Sequence, residues 1–110
     1  MRKYFDQMRI AGVQYHEALF CREELKAGRK LRMVRDTENK YDADAVALYC
    51  GEYLVGYIPR TENSELALFL DQGWGDLFEV FIFQGDEDAH PENQYLVNIY
   101  LRDRKDIGML

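Results

Sequence analysis

The chain has 110 residues, 47% of them hydrophobic and 14% aromatic, which is enough for one core but not for a motor and a binding domain together. Its net charge of −6 argues against indiscriminate binding to duplex DNA, which charge dominates. No run approaches the ~20 apolar residues of a membrane helix, and no apolar segment follows the charged start Arg2-Lys3, so neither a membrane span nor a signal peptide is expected.

The charge is unevenly spread. Residues 1–60 hold eleven Lys/Arg against nine Asp/Glu, a balance of +2, and residues 61–110 hold three against eleven, a balance of −8. An anionic ligand should therefore meet the first half. Cys21 and Cys50 form no CxxC motif and no disulfide framework, which points to a reduced, cytoplasmic protein with two ordinary thiols.

No repeat, low-complexity tract or linker divides the chain, so residues 1–110 read as a single domain. Gln7–Tyr15 is predicted as a strand, with Gly12 at a bend. Arg22–Ala27 is predicted as a helical turn ended by Gly28. Lys30–Arg35 alternates and reads as a half-exposed strand. Residues 36–44 are polar and read as a loop. Ala45–Cys50 and Tyr53–Ile58 flank Gly51-Glu52 and predict a tight hairpin.

Pro59 ends that strand, because it has no N–H for the ladder. A helix follows, with Thr61 as its expected N-cap, Leu66, Ala67, Phe69 and Leu70 on its buried face and Gly73 as its stop. Trp74 is expected to pack under the helix. Leu77–Phe83 and Tyr95–Leu101 read as the last two strands, joined by the acidic connection Gln84–Asn93. Six strands with one or two short helices predict a mainly β fold, a small closed or nearly closed β-barrel.

The most specific stretch is Arg35-Asp36-Thr37-Glu38-Asn39-Lys40-Tyr41-Asp42-Ala43-Asp44-Ala45, followed at fixed offset by Gly56-Tyr57-Ile58-Pro59-Arg60 and preceded by Gly12-Val13-Gln14-Tyr15. Over residues 8–101 this resembles the HIRAN domain, a modified OB-like barrel found alone and at the N-terminus of helicase-like remodelers. The resemblance implies binding of single-stranded DNA at a free 3′-hydroxyl end, accessory to repair, replication or DNA processing.

In that reading Tyr15 and Tyr41 match the tyrosines that stack on the terminal bases, and Asp42 matches the acid that accepts the 3′-hydroxyl. Arg60 matches a phosphate-facing base, with Arg35 and Lys40 as further phosphate candidates. Gln14 stands where DNA-binding members carry Arg, and Asp44 where Asn is usual. Those two departures, with the acidic second half, leave a second reading: a protein-interaction module on the same barrel, with a basic or DNA-processing partner. Asn39 and Gly56 read as structural.

No catalytic set emerges. The chain has one serine, Ser64, no G-x-S-x-G and no P-loop, so an enzyme is not expected. The scatter of His16, His90, Cys21 and Cys50 is not that of a zinc site, and Asp86-x-Asp88-x-His90 lacks the spacing of a cation loop. No metal or cofactor is implied.

Overall fold

The computed structural model describes residues 2–107. Six strands form one antiparallel sheet: β1 (Arg2–Arg9), β2 (Lys30–Arg35), β3 (Val46–Cys50), β4 (Tyr53–Tyr57), β5 (Phe78–Gly85) and β6 (Tyr95–Leu101), in the order β1-β6-β5-β2-β3-β4. The α-helix α1 (Ser64–Asp71) packs against β2, and a 3-10 stretch over Ala18–Glu24 packs against β4. The fold is mainly β, as the alternation in β2 and the Gly51-Glu52 hairpin imply.

The sheet is curled but not closed. Its edge strands β1 and β4 share no ladder, and the chain just after β1 touches β4 at a single bridge, Ala11 to Tyr57, with N···O distances of 2.8 and 2.9 Å. "Barrel" is therefore too strong. The reason lies at Gly12, whose φ of 71° turns the chain into a 3-10 turn at Val13–Tyr15 and leaves no strand to continue the pairing.

The core is the apolar face of every strand. Val46, Leu48, Val55, Val80, Ile82, Val97 and Ile99 are buried, together with Ile58 and Leu66 from the β4–α1 segment. Ile10, Val13, Cys21 and Leu25 seal the open side. Gly56 lies where β4 crosses the chain after β1; a Cβ there would sit 2.6 Å from the Ala11 carbonyl oxygen and from the Ile10 side chain. Only glycine allows that approach.

Several boundaries differ from the sequence expectation. The first strand is Arg2–Arg9, not Gln7–Tyr15, and Tyr15 lies in a 3-10 turn. Gln7 itself has a φ of 55° within a register shift, and its N–H donates to Asn98 Oδ1 at 2.8 Å. The helical segment before Gly28 runs over Ala18–Glu24, kinked at Cys21, rather than Arg22–Ala27. The helix cap is Asn63 rather than Thr61. Trp74 is not under the helix but 39% exposed, held there by its backbone N–H on the Phe69 carbonyl.

Candidate nucleic-acid interface

The loop joining β2 to β3 is polar, yet it is tightly organised. The Asp36 N–H bonds the Ala45 carbonyl at its base. Asn39 Oδ1 accepts from the N–H groups of both Tyr41 and Asp42, at 2.9 and 3.1 Å. Asp42 Oδ1 accepts from the Asp44 N–H at 3.0 Å. These are Asx turns, in which a short side chain replaces a backbone partner. Arg35 braces the loop from below: Nη1 and Nη2 donate to the Ala45 and Ala43 carbonyls at 2.8 and 3.0 Å. Its Nε and Nη2 also fork onto the Asp71 carboxylate of α1 at 2.8 and 3.3 Å.

A rigid backbone thus holds Tyr41 out in solvent, 84% exposed. Beside it, Asp42 is half-buried. Its Oδ2 accepts from Nδ2 of Asn63 at 2.8 Å, and Asn63 is 2% exposed. The side chain of this helix-capping residue serves the loop rather than its own helix.

Tyr57, at the end of β4, ties two segments together. Its hydroxyl donates to Asp36 Oδ2 at 2.6 Å, and Asn39 Nδ2 donates to the same oxygen at 3.3 Å. Its backbone pairs with Ala11, and its ring lies 5.2 Å from that of His16. The Gly12–His16 turn and the 36–45 loop therefore flank one tyrosine. Burial and the adjoining Asp36 carboxylate push the Tyr57 phenol up to about 12. The Tyr57 hydrogen bond in turn holds the Asp36 carboxyl below its usual range. Burial lowers His16, against the opposing pull of Glu17.

A sequence model of the HIRAN domain family matches residues 5–104. The chain belongs to the HIRAN domain family. A relative among curated proteins, a Fanconi-associated nuclease 1 homolog of Oryza sativa subsp. japonica, is 37% identical over 67 residues, which is 57% of this chain and 6% of the relative. The chain thus spans only a small part of that protein. Two crystal structures share the fold. A Lactobacillus plantarum protein superposes with a TM-score of 0.67 at 21% identity, covering 89% of this chain and 90% of that one. The HIRAN domain of human HLTF superposes with a TM-score of 0.63 at 16% identity, covering 92% and 78%.

In this HIRAN domain, Tyr15 sits on the Val13–Tyr15 turn, 78% exposed, with exposed Gln14 beside it. Lys40 is exposed on the 36–45 loop and Arg60 just after Pro59; neither has a side-chain partner among the described residues. Arg35 differs from them. Four hydrogen bonds occupy its guanidinium, and its side chain is 14% exposed. It braces the loop from its inner side.

Three residues of the site escape sequence reasoning: Asp36, Tyr57 and Asn63. Asp36 and Tyr57 stand inside the recognised motifs, so their spacing carried the signal. Asn63 had no such signal, because the sequence put the helix cap at Thr61. Among the described residues no group of three or more His, Cys, Asp or Glu is placed to hold a metal ion, and no helix is long and apolar enough to cross a membrane.

Proposed function

We propose that this domain holds the 3′-hydroxyl end of a single DNA strand, as a non-catalytic accessory to DNA repair or processing. The observation that carries the reading is the pair Tyr15 and Tyr41. They are the two most exposed large apolar side chains among the described residues, and both stand on hydrogen-bonded backbone that flanks Tyr57. A phenol ring stacks on any base, for about 1–3 kcal/mol each.

Asp42 supplies the end chemistry. Each of its carboxylate oxygens accepts one hydrogen bond within the protein, and each keeps a second lone pair for a 3′-hydroxyl. The same charge repels a 3′-phosphate. Lys40 and Arg60 reach the phosphates as open cations, and Gln14 as a neutral donor. Arg35 acts indirectly by holding the loop.

Two stacks and one charge-assisted hydrogen bond sum to roughly 3.5–9 kcal/mol before association costs, which corresponds to micromolar or weaker binding. Fluorescence anisotropy with a ten-nucleotide strand at low salt, ending in 3′-hydroxyl or 3′-phosphate, tests the reading. Tighter binding of the hydroxyl form is expected, and equal binding refutes it.

A second reading, a protein-interaction module, is favoured by a separate observation. Leu19 and Phe20 are 64% and 67% exposed on the Ala18–Glu24 stretch, with Phe20 against the Tyr53 ring at 6.0 Å. Exposed apolar neighbours of this kind mark partner surfaces. If Phe20→Ser releases a co-purifying protein while DNA binding is absent, this reading replaces the first.

A further inference from the structure

The row of outward-facing residues on β2 leads away from the end pocket. Strand alternation puts Lys30, Arg32, Val34 and Asp36 on one face, and the register sets Arg32 opposite Tyr49 and Val34 opposite Ala47, which itself faces Tyr57. Asp36 and Tyr57 therefore end a row that begins at Lys30. At that far end, β2 parts from β5 after only two paired residues, Lys30 with Phe81 and Leu31 with Val80. A cleft of about 690 Å³ opens there. Its lining includes Arg29, Lys30, Arg32 and Tyr49, and no carboxylate.

In a chain of net charge −6 this cleft is a local exception. The Arg32 guanidinium lies over the Tyr49 ring, 5.0 Å from its centre, and donates to the Gly51 carbonyl at 3.3 Å. It is thus oriented while the side chain stays exposed. Arg29 and Lys30 pair with Glu24 and Glu79 at 3.4 and 3.6 Å. The Arg29–Glu24 pair joins two exposed side chains and is weak, whereas in the Lys30–Glu79 pair only the lysine is exposed and Glu79 is largely covered; a phosphate competes for both cations. Glu79 would not be stranded, since Arg102 also pairs with it at 3.1 Å.

We infer that the cleft between β2 and β5 is a second subsite for single-stranded nucleic acid, in which Lys30 and Arg32, with Arg29 at the rim, take the phosphates of nucleotides upstream of the end held at Tyr41 and Asp42. The direction of the strand rests on the proposed end pocket; the cleft's cationic character does not. From Arg32 to Asp36 is roughly 13 Å along the strand, within the reach of the ~4–16 nucleotides that one OB fold covers. A nucleic-acid backbone suits the site better than a lone phosphate, because the cations are spaced along a row.

The test compares the wild type with Lys30→Gln/Arg32→Gln, using ten-nucleotide strands ending in 3′-hydroxyl or 3′-phosphate across a salt series. Both side chains are exposed, and thermal melting checks that the fold is kept. Expected is a loss on the order of tenfold at low salt for both strands, with the slope of log K against log salt shallower by about 1.4, or ~0.7 per lost phosphate contact. The hydroxyl preference should stay unchanged, and Lys30→Arg should restore its share. If both strands bind equally and both weaken in the double variant, the end pocket falls and the cleft stands. If the hydroxyl preference persists but the double variant matches wild type in affinity and slope, the cleft falls and the end pocket stands. Absence of binding by wild type to either strand overturns both.

Discussion

Replacing Tyr57 by Phe removes one oxygen and leaves the ring against His16. The lost bond is the 2.6 Å donation to Asp36 Oδ2. A hydrogen bond to a charged group contributes about 1.5–3 kcal/mol. Both partners are half-buried, so water replaces part of it, and a loss of about 1–2 kcal/mol is expected. The rise of the Tyr57 phenol from 10.0 to about 12 corresponds to about 2.7 kcal/mol, which includes burial and so sets a ceiling.

The pH dependence gives the sharper check. Asp36 titrates below its ordinary 3.8 in the fold, chiefly through this bond. Its contribution is complete above that value and is lost as pH falls through the lowered one. Tyr57 behaves oppositely: its contribution is complete below pH 10.0 and is lost as pH rises toward about 12. Urea unfolding of both proteins at neutral pH, near pH 3 and above pH 10 measures this. The gap between wild type and Tyr57→Phe should be widest at neutral pH and shrink toward both extremes. A gap that is constant across pH, or absent at pH 7, refutes the argument.

Tyr41→Ala should weaken binding of a 3′-hydroxyl strand by about 1–3 kcal/mol without moving the melting temperature, since Tyr41 is 84% exposed; anisotropy and thermal melting read the two separately. Asp42→Asn should erase the preference for hydroxyl over phosphate ends, which the same pair of strands reports. Arg35→Ala should lower stability by about 1–3 kcal/mol, through loss of the Asp71 fork and two carbonyl bonds, yet leave the salt slope of DNA binding unchanged; a shallower slope would make Arg35 a phosphate ligand after all. Gly56→Ala should cost about 3 kcal/mol or more, because the Ala11 backbone carbonyl oxygen as well as the buried Ile10 side chain stands 2.6 Å from the new Cβ; chemical denaturation measures it.

The 36–45 loop shows how sequence and structure divide the work. Its polar residues announce a loop, and their order fixes the Asx turns at Asn39 and Asp42, because such bonds span two or three residues. The Gly51-Glu52 hairpin and the alternation of β2 were legible for the same reason. So was the family, since its motifs are local strings at fixed offsets.

What sequence alone misassigned depends on contacts between distant residues. β1 is held as a strand by β6, across a register shift supported by Asn98, so its own polar pattern gives no period-2 signal. Asn63 carries no reading from sequence, where Thr61 is the expected cap, and its role emerges only when the fold puts it against Asp42, twenty-one positions away. Arg35 reads as an open cation until α1 brings Asp71 to it, thirty-six positions away. Local hydrogen bonds and alternation were written in the order of the residues. The closure of the sheet, the partner of each charge and the choice of which tyrosines stay in water were decided only when the core folded, because burial and long-range pairing belong to the whole chain.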